Sequence, residues 1–555
     1  MHLSGIHNRL FVGAGQPQVE SGNGFCAHFI LTGNIQSRLQ TDMVDGKARD
    51  LFHDDLLSFF YMIQHSAEDC KPCLQFVFSE DIITLCYKKG GKTMQDPQNR
   101  NDRPVNPRRR KRTKMQIFKE AYLPLIVAAV ALLLILIFII GSITRAVQWS
   151  QLAKKESIAA SVAAAQQQEA WEKEAATLLS QAKSLAAGCD YDAALQLLGS
   201  FSGQADAFPE LGAMQQTIRA AADALVLWED NTKILNLSFQ PLIADPVKAF
   251  QDAKYGSSYQ KNFITTSEFT KILQQLYENG YILISMDDLV KDGHPCQLYL
   301  PEGKKPIMLT QTQVNYYRYM TDSDGDNLPD AGGAGFASRL VVDDSGNLTC
   351  EIVTESGVST GAYDLVPILE AFIATHPDFS YKGARAILAV TGYDGIFGYR
   401  TCPSTQIFTQ DFINQETEKA KKVVQALRNA GYEIACYTYD NVAYGNYTAD
   451  QIQSDVDHWT EEVSPILGVV RTLVYARSSD IAGRNTAYSG EKFDILQQAG
   501  FTHFLGFCSG SKPWLYVQDT YVRQGRLLVG GSKLTDTALF SGIFDPSAII
   551  DPARS

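Results

Sequence analysis

Histidine and cysteine, the side chains most often used as metal ligands and nucleophiles, are scarce: nine and ten residues in a chain of 555. Four cysteines precede a long apolar run and six follow it at wide spacing, so no disulfide scaffold is expected. The pair Cys70 and Cys73 stands alone, without the second pair that a zinc finger requires. Net positive charge is missing as well. At −12 the chain is a poor partner for nucleic acid. What is present fits a globular protein, with 45% apolar and 20% charged residues.

The negative balance is uneven. Residues 94–120 carry nine Lys/Arg against three Asp/Glu, so this stretch is +6 and the remainder of the chain is −18. Directly after it, residues 121–144 read AYLPLIVAAVALLLILIFIIGSIT, with no charge between Glu120 and Arg145. A helix of that length spans the roughly 30 Å of a bilayer's hydrocarbon core. It is too long for a signal-peptide core and has no convincing cleavage site, so a signal anchor is expected. The cluster Arg108 to Lys114 on its N-terminal flank predicts a cytoplasmic tail over 94–120. Everything after Arg145 is then extracellular, on a single-pass protein of the cell membrane.

Residues 1–93 show no sustained hydrophobic period. The junction Lys-Gly-Gly-Lys-Thr-Met, ending at Met94, can be encoded with a purine-rich GGAGG a few bases before an ATG. That is the form of a translated bacterial ribosome-binding site, so the natural chain is expected to start at Met94. The rival is a cytoplasmic segment of unknown fold.

After the anchor, residues 145–230 are rich in Ala, Gln, Glu and Lys and predict a helical stalk, with Gly188 as a C-cap. Beyond Trp228 a repeated design appears in Leu276–Met286, Leu427–Tyr437 and Leu496–Phe507. Each reads Leu, three residues, Gly, an aromatic, then an apolar strand. Thr265 and Glu268 form a capping box upstream of the first, and Phe269, Ile272, Leu273 and Leu276 recur at helical spacing. Further strands are predicted in KPIMLT, ARAILAVT and TLVYA. Such alternation implies a largely parallel sheet, open or closed into a barrel, with reactive groups on loops after the strands.

Those loops carry a resemblance. Residues 231–555, through LIADPVKAF, TTSEFTKILQQLYENGYILISMDDL, KPIMLTQTQVNYYRYM, TGYDGIFGYRT, GYEIACYTYDNVAYG and YVRQGRLLVGG, resemble the polysaccharide deacetylase (NodB-homology) family. The likeness is to a membrane-anchored form of Gram-positive anaerobes. It implies an α/β fold, a distorted (β/α) barrel, and hydrolysis of N-acetyl amide bonds in glycans with a divalent metal, commonly zinc. Active members follow the KPIMLT strand with a base Asp and a metal-binding Asp; here Thr312 and Gln313 hold those positions. The two metal-binding histidines of the second motif correspond to Tyr437 and Asn441, and the third motif survives as Tyr475–Ser479 without its proline or glycine. Two further histidine positions correspond to Asn236 and Gln240.

Amide hydrolysis by this route needs a metal that polarises a carbonyl and acidifies water. Amides, hydroxyls and phenols are poor ligands for it, so no zinc is expected and no catalytic set is complete. The four histidines beyond the anchor, His294, His376, His458 and His503, fall on no family motif. Asp394 and Asp440 are the fallback bases of an active enzyme with a rearranged site. Elsewhere, Asp322, Asp324, Asp326 and Asp330 alternate on a Gly-containing turn, a pattern that suits calcium. Tyr316, Tyr317, Tyr437, Tyr439 and Tyr475 crowd the loop positions and are candidates for stacking on sugar, with Tyr444 and Trp514 beside them. The expected function is binding of cell-wall glycan or a surface partner by an inactive relative. The alternatives are the rearranged deacetylase and a purely structural scaffold. Mass spectrometry of the native protein is expected to find no peptide from residues 1–90; a single such peptide overturns the start at Met94.

Overall fold

Helix α1, Leu123–Ala187, has two characters along its length. In the computed structural model, which describes Met115 and residues 122–554 except 292–293, 485, 509 and 511, its apolar stretch is wholly exposed. An 18-residue window there reaches a mean hydropathy of 3.3 with none of it buried. Among the described residues this is the one helix long and apolar enough to cross a membrane. The segment 1–93, the Cys70–Cys73 pair and nearly all of the basic tail lie outside the described residues. The chain divides into two units, Met1–Ile126 and Val127–Ser555, and the description below concerns the second.

The polar half of α1 ends in a small core. Ala175, Leu178 and Ala182 pack against Ala194 and Leu198 of α2 (Tyr191–Leu198) and against Leu211 and Ile218 of α3 (Pro209–Asp223). The predicted stalk is therefore a long helix finished by a three-helix cluster. Gly188 is not the left-handed residue at its end; the next residue, Cys189, takes φ 60°.

Beyond the stalk, seven parallel strands close on themselves. In chain order they are β1 (Leu235–Phe239), β3 (Lys305–Thr312), β7 (Ile387–Val390), β8 (Glu433–Cys436), β9 (Thr472–Val474), β10 (His503–Phe507) and β12 (Tyr521–Leu528). Neighbours follow that order, and β12 returns to β1 through Leu527↔Leu237 and Leu528↔Ser238. Strand β2 (Tyr281–Leu283) lies parallel to β3 outside the ring, and β11 (Leu515–Gln518) pairs antiparallel with β12. A three-stranded antiparallel insert, β4 (Arg339–Val342), β5 (Leu348–Thr354) and β6 (Gly357–Gly361), separates β3 from β7 in sequence. The fold is a (β/α) barrel, as the sequence predicts.

The three glycines of the repeated design work as expected. Helices α4 (Thr266–Glu278), α6 (Gln410–Ala430) and α8 (Glu491–Gln498) are followed by Gly280, Gly431 and Gly500, at φ 79°, 97° and 92°. Each left-handed glycine turns the chain back toward a strand, a conformation that a Cβ would strain. The Thr265–Glu268 capping box is formed, and Phe269, Ile272, Leu273 and Leu276 of α4 are buried.

Alternation decides the two sides of the wall. Leu235, Leu237 and Phe239 of β1 and Leu388 and Val390 of β7 join the core beneath the helices. Met308, Ile387, Ala389, Ala435, Val474 and Leu505, of the opposite parity, form a second cluster that fills the barrel. The rest of the interior is polar and paired across it: Thr310 Oγ1 donates to Asn236 Oδ1 at 2.8 Å, and Asn236 Nδ2 donates to Gln524 Oε1 at 3.0 Å.

His503 begins β10 with the same parity as Leu505 and is 7% exposed. Burial, with the Arg471 guanidinium nearby, pushes its pKa down from 6.5 to about 4. A folded-state value below the unfolded one means that the unfolded chain binds the proton first. Stability is thus complete above pH 6.5 and is lost as pH falls toward 4. Between pH 7 and pH 5 the native protein is expected to lose about 2 kcal/mol more of its unfolding free energy than His503→Gln does. Equal losses in both would contradict this.

Candidate site at the barrel mouth

The C-terminal ends of β1, β3, β8, β9, β10 and β12 surround a cavity of about 290 Å³. Its lining brings together Thr312 and Gln313 from β3 and its loop with Tyr437 and Asn441 from the loop after β8. These are the four residues that stand at the base and metal positions of the resemblance. Ser238, Gln240, Asn262, Arg477, Ser478, Phe507, Arg526 and Leu528 complete the wall. The lining holds no histidine, cysteine, aspartate or glutamate.

Its amides are linked to one another. Asn441 Nδ2 donates to Gln313 Oε1 at 3.4 Å, and Gln313 Nε2 donates to Gln240 Oε1 at 3.5 Å. Thr312 Oγ1 donates to the Phe239 carbonyl at 3.2 Å. A zinc centre does not fit this donor set: neutral amides and a hydroxyl cannot offset a dication's charge, and among the described residues no imidazole or carboxylate lines the cavity. Among the described residues, the one group of three or more candidate ligands is elsewhere, at Asp322, Asp324 and Asp330.

The backbone around the mouth is unusual. Gln313, Thr438, Asn441, Arg477 and Ser478 all have positive φ, between 53° and 59°. For a β-branched residue such as Thr438 this is a rare conformation, and strain of this kind gathers where surrounding structure fixes a site. Two buried carboxylates hold the segments that carry Gln313, Thr438 and Asn441. Asp455 on α7 (Ala449–His458) accepts the Tyr439 N–H at 2.7 Å, the Asp440 N–H at 2.9 Å and the Tyr444 hydroxyl at 2.7 Å. Asp364, just before α5 (Leu365–Thr375), accepts Gln311 Nε2 at 2.6 Å, the Tyr316 hydroxyl at 2.5 Å and the Leu242 N–H at 2.9 Å. Burial raises the pKa of both, while the donors around them pull the other way.

The predicted tyrosines separate accordingly. Tyr316, Tyr317, Tyr439 and Tyr475 are buried at 2% exposure or less, and of the five only Tyr437 lines the cavity. Tyr439 gives its hydroxyl to Glu462 at 2.6 Å. Tyr444 is buried against Asp455, and Trp514 is buried beneath Arg523. The buried Tyr317 ring is stacked on Tyr319 at 5.6 Å and on Tyr393 at 5.2 Å. Tyr319 is 42% exposed, and sequence reasoning passed over both it and Tyr393. The run Asn315-Tyr-Tyr-Arg-Tyr319 was the available signal.

Neither fallback base lines the cavity. Asp394 is buried and held by Arg318, through its N–H at 2.8 Å and Nε at 2.5 Å. Asp440 is exposed. His294, His376, His458 and His503 are also absent from the lining. In the acidic turn, Asp322, Asp324 and Asp330 place carboxylate oxygens within 4.8 Å of one another, without Asp326. All four accept backbone N–H groups of their own loop, such as Ser323 N–H on Asp330 at 2.6 Å and Leu328 N–H on Asp326 at 2.7 Å. Those bonds alone give the turn a closed geometry.

Removing the Asp455 carboxylate leaves two amides and a phenol without acceptors inside the fold. Asp455→Ala is expected to cost about 3 kcal/mol in chemical unfolding, and a loss below about 1 kcal/mol would contradict the role assigned to it.

No family model matches the chain, and no curated protein matches it in sequence. Among solved structures it is similar to the Streptococcus pyogenes deacetylase PplD in complex with acetate, at 11% identity and a TM-score of 0.30. That match covers 56% of this chain and 98% of the other. The barrel itself stands on its own strand pairing.

Proposed function

We propose that the chain is a membrane-anchored, polysaccharide deacetylase-like protein whose barrel mouth binds cell-wall glycan without hydrolysing it. The anchor is the apolar part of α1, with the basic tail in the cytoplasm and the barrel outside. One observation carries the reading: the base and metal positions of the resemblance converge on a single cavity, and its lining has no group that could hold a zinc ion or take a proton near neutral pH. The cavity is at the lower edge of the roughly 300–1,000 Å³ of small-molecule sites, which suits a single sugar unit. Tyr437 within it supplies an aromatic ring, and the side-chain amides supply donors and acceptors for hydroxyls. A rearranged deacetylase has less support, because Asp394 is neutralised by Arg318 and Asp440 is outside the cavity.

Full-length protein in detergent is expected to be retained on peptidoglycan, to release no acetate from it and to purify without stoichiometric zinc. Tyr437→Ala is expected to weaken retention roughly fivefold, the effect of about 1 kcal/mol from one stacking ring. Unchanged retention sinks the glycan reading, and acetate release with stoichiometric zinc returns the protein to the hydrolases.

A further inference from the structure

The cavity that lacks acids has a buried cation in its wall. Arg526, 5% exposed on β12, lines the mouth with the guanidinium held by Ser238 Oγ at 2.7 Å and the Tyr475 carbonyl at 3.2 Å. Its Nε has no hydrogen-bond partner. Two other buried arginines also leave Nε unmatched, but their charges are answered: Arg523 pairs with Asp480 at 2.8 Å, and Arg400 lies in the field of Asp394. Around Arg526 the nearby ionisable groups are the Tyr437 phenol and the Cys508 thiol, both weak acids. An unanswered charge inside a protein is costly, and folds avoid it unless an anion arrives from outside.

A second guanidinium stands at the rim. Arg477 is exposed, lines the same cavity and donates Nε to the Asn441 carbonyl at 2.9 Å. Two cations thus face a lining whose other polar groups are amides, hydroxyls and a phenol. Guanidinium is planar and matches a carboxylate, while the amides of Gln240, Gln313, Asn441 and Asn262 suit sugar hydroxyls.

We propose that the mouth selects a carboxylate-bearing sugar, with the carboxylate on Arg526 and Arg477 closing over it from the rim. This rests on the reading of the mouth as a glycan site and narrows that reading to acidic units.

The test is binding to full-length protein in detergent, followed by calorimetry with glucuronate, glucose and inorganic phosphate. Glucuronate differs from glucose by a carboxylate in place of a hydroxymethyl group. It is expected to bind at least about tenfold tighter, a factor within reach of one charge-assisted contact. Arg526→Gln is expected to abolish that preference. Should this variant fail to fold, Arg477→Gln at the exposed rim is expected to reduce the preference severalfold. Equal affinity for glucuronate and glucose overturns the proposal and leaves the glycan reading standing. Saturation by inorganic phosphate without glucuronate binding overturns the carboxylate assignment. Glucuronate binding without retention on peptidoglycan supports the acidic site while removing the cell-wall reading.

Discussion

Closure of the barrel through β3 and β7 is the pairing on which the remaining structure depends. It sets Thr310 opposite Ile387 and Thr312 opposite Ala389, and so fixes which residues of every strand face inward. An open sheet would leave Asn236, Thr310 and Gln524 to water or to nothing. Inside the ring they satisfy one another across three strands, which makes polar residues tolerable in a space that is otherwise apolar. The same inward parity continues upward to Thr312, Ser238, Tyr437 and Arg526, so the barrel's packing rule also composes the mouth.

The mouth is held from outside the ring. Asp364 and Asp455 belong to segments behind the wall, yet their carboxylates gather loop amides and phenols from the ends of β1, β3 and β8. Five lining or adjacent residues keep positive φ without being glycine, each at a cost of about 1–3 kcal/mol. Such conformations persist only where neighbouring bonds over-determine them. Rigid placement of the loops is therefore built into the fold, whatever group now occupies the cavity.

Much of the architecture was legible because it obeys local rules. Gly280, Gly431 and Gly500 end helices in the left-handed region, Thr265 and Glu268 cap α4, and the apolar stripe of α4 is buried as its spacing requires. Strands β1 and β12 were not legible as strands. Their inward positions are Asn236, Ser238, Gln524 and Arg526, and a polar alternation reads as a solvent-facing edge when the closed interior is unknown. The insert β4–β6 escaped because its strands mix apolar with polar residues and are mostly only half-buried or exposed. At the site, the sequence aligned Thr312, Gln313, Tyr437 and Asn441 on one mouth, but it could not separate Tyr437 from four tyrosines that are sealed into the core. Aromatic type is the same in both places, and Tyr437 is itself only 8% exposed; its place in the cavity lining is what tells it apart.

The sign of the potential at the mouth follows from the residues that line it. A metal centre needs carboxylates or imidazoles whose combined charge and lone pairs attract a dication. The described lining, with Thr312, Gln313, Tyr437 and Asn441, holds no carboxylate, while Arg526 and Arg477 belong to it. Neutral amides do little to screen a guanidinium at the floor of a half-enclosed cavity, where the local dielectric is below that of water. The mouth therefore presents a positive field. Such a field repels a dication and favours an anion, so the charge of the lining by itself sets which kind of ligand the mouth can hold.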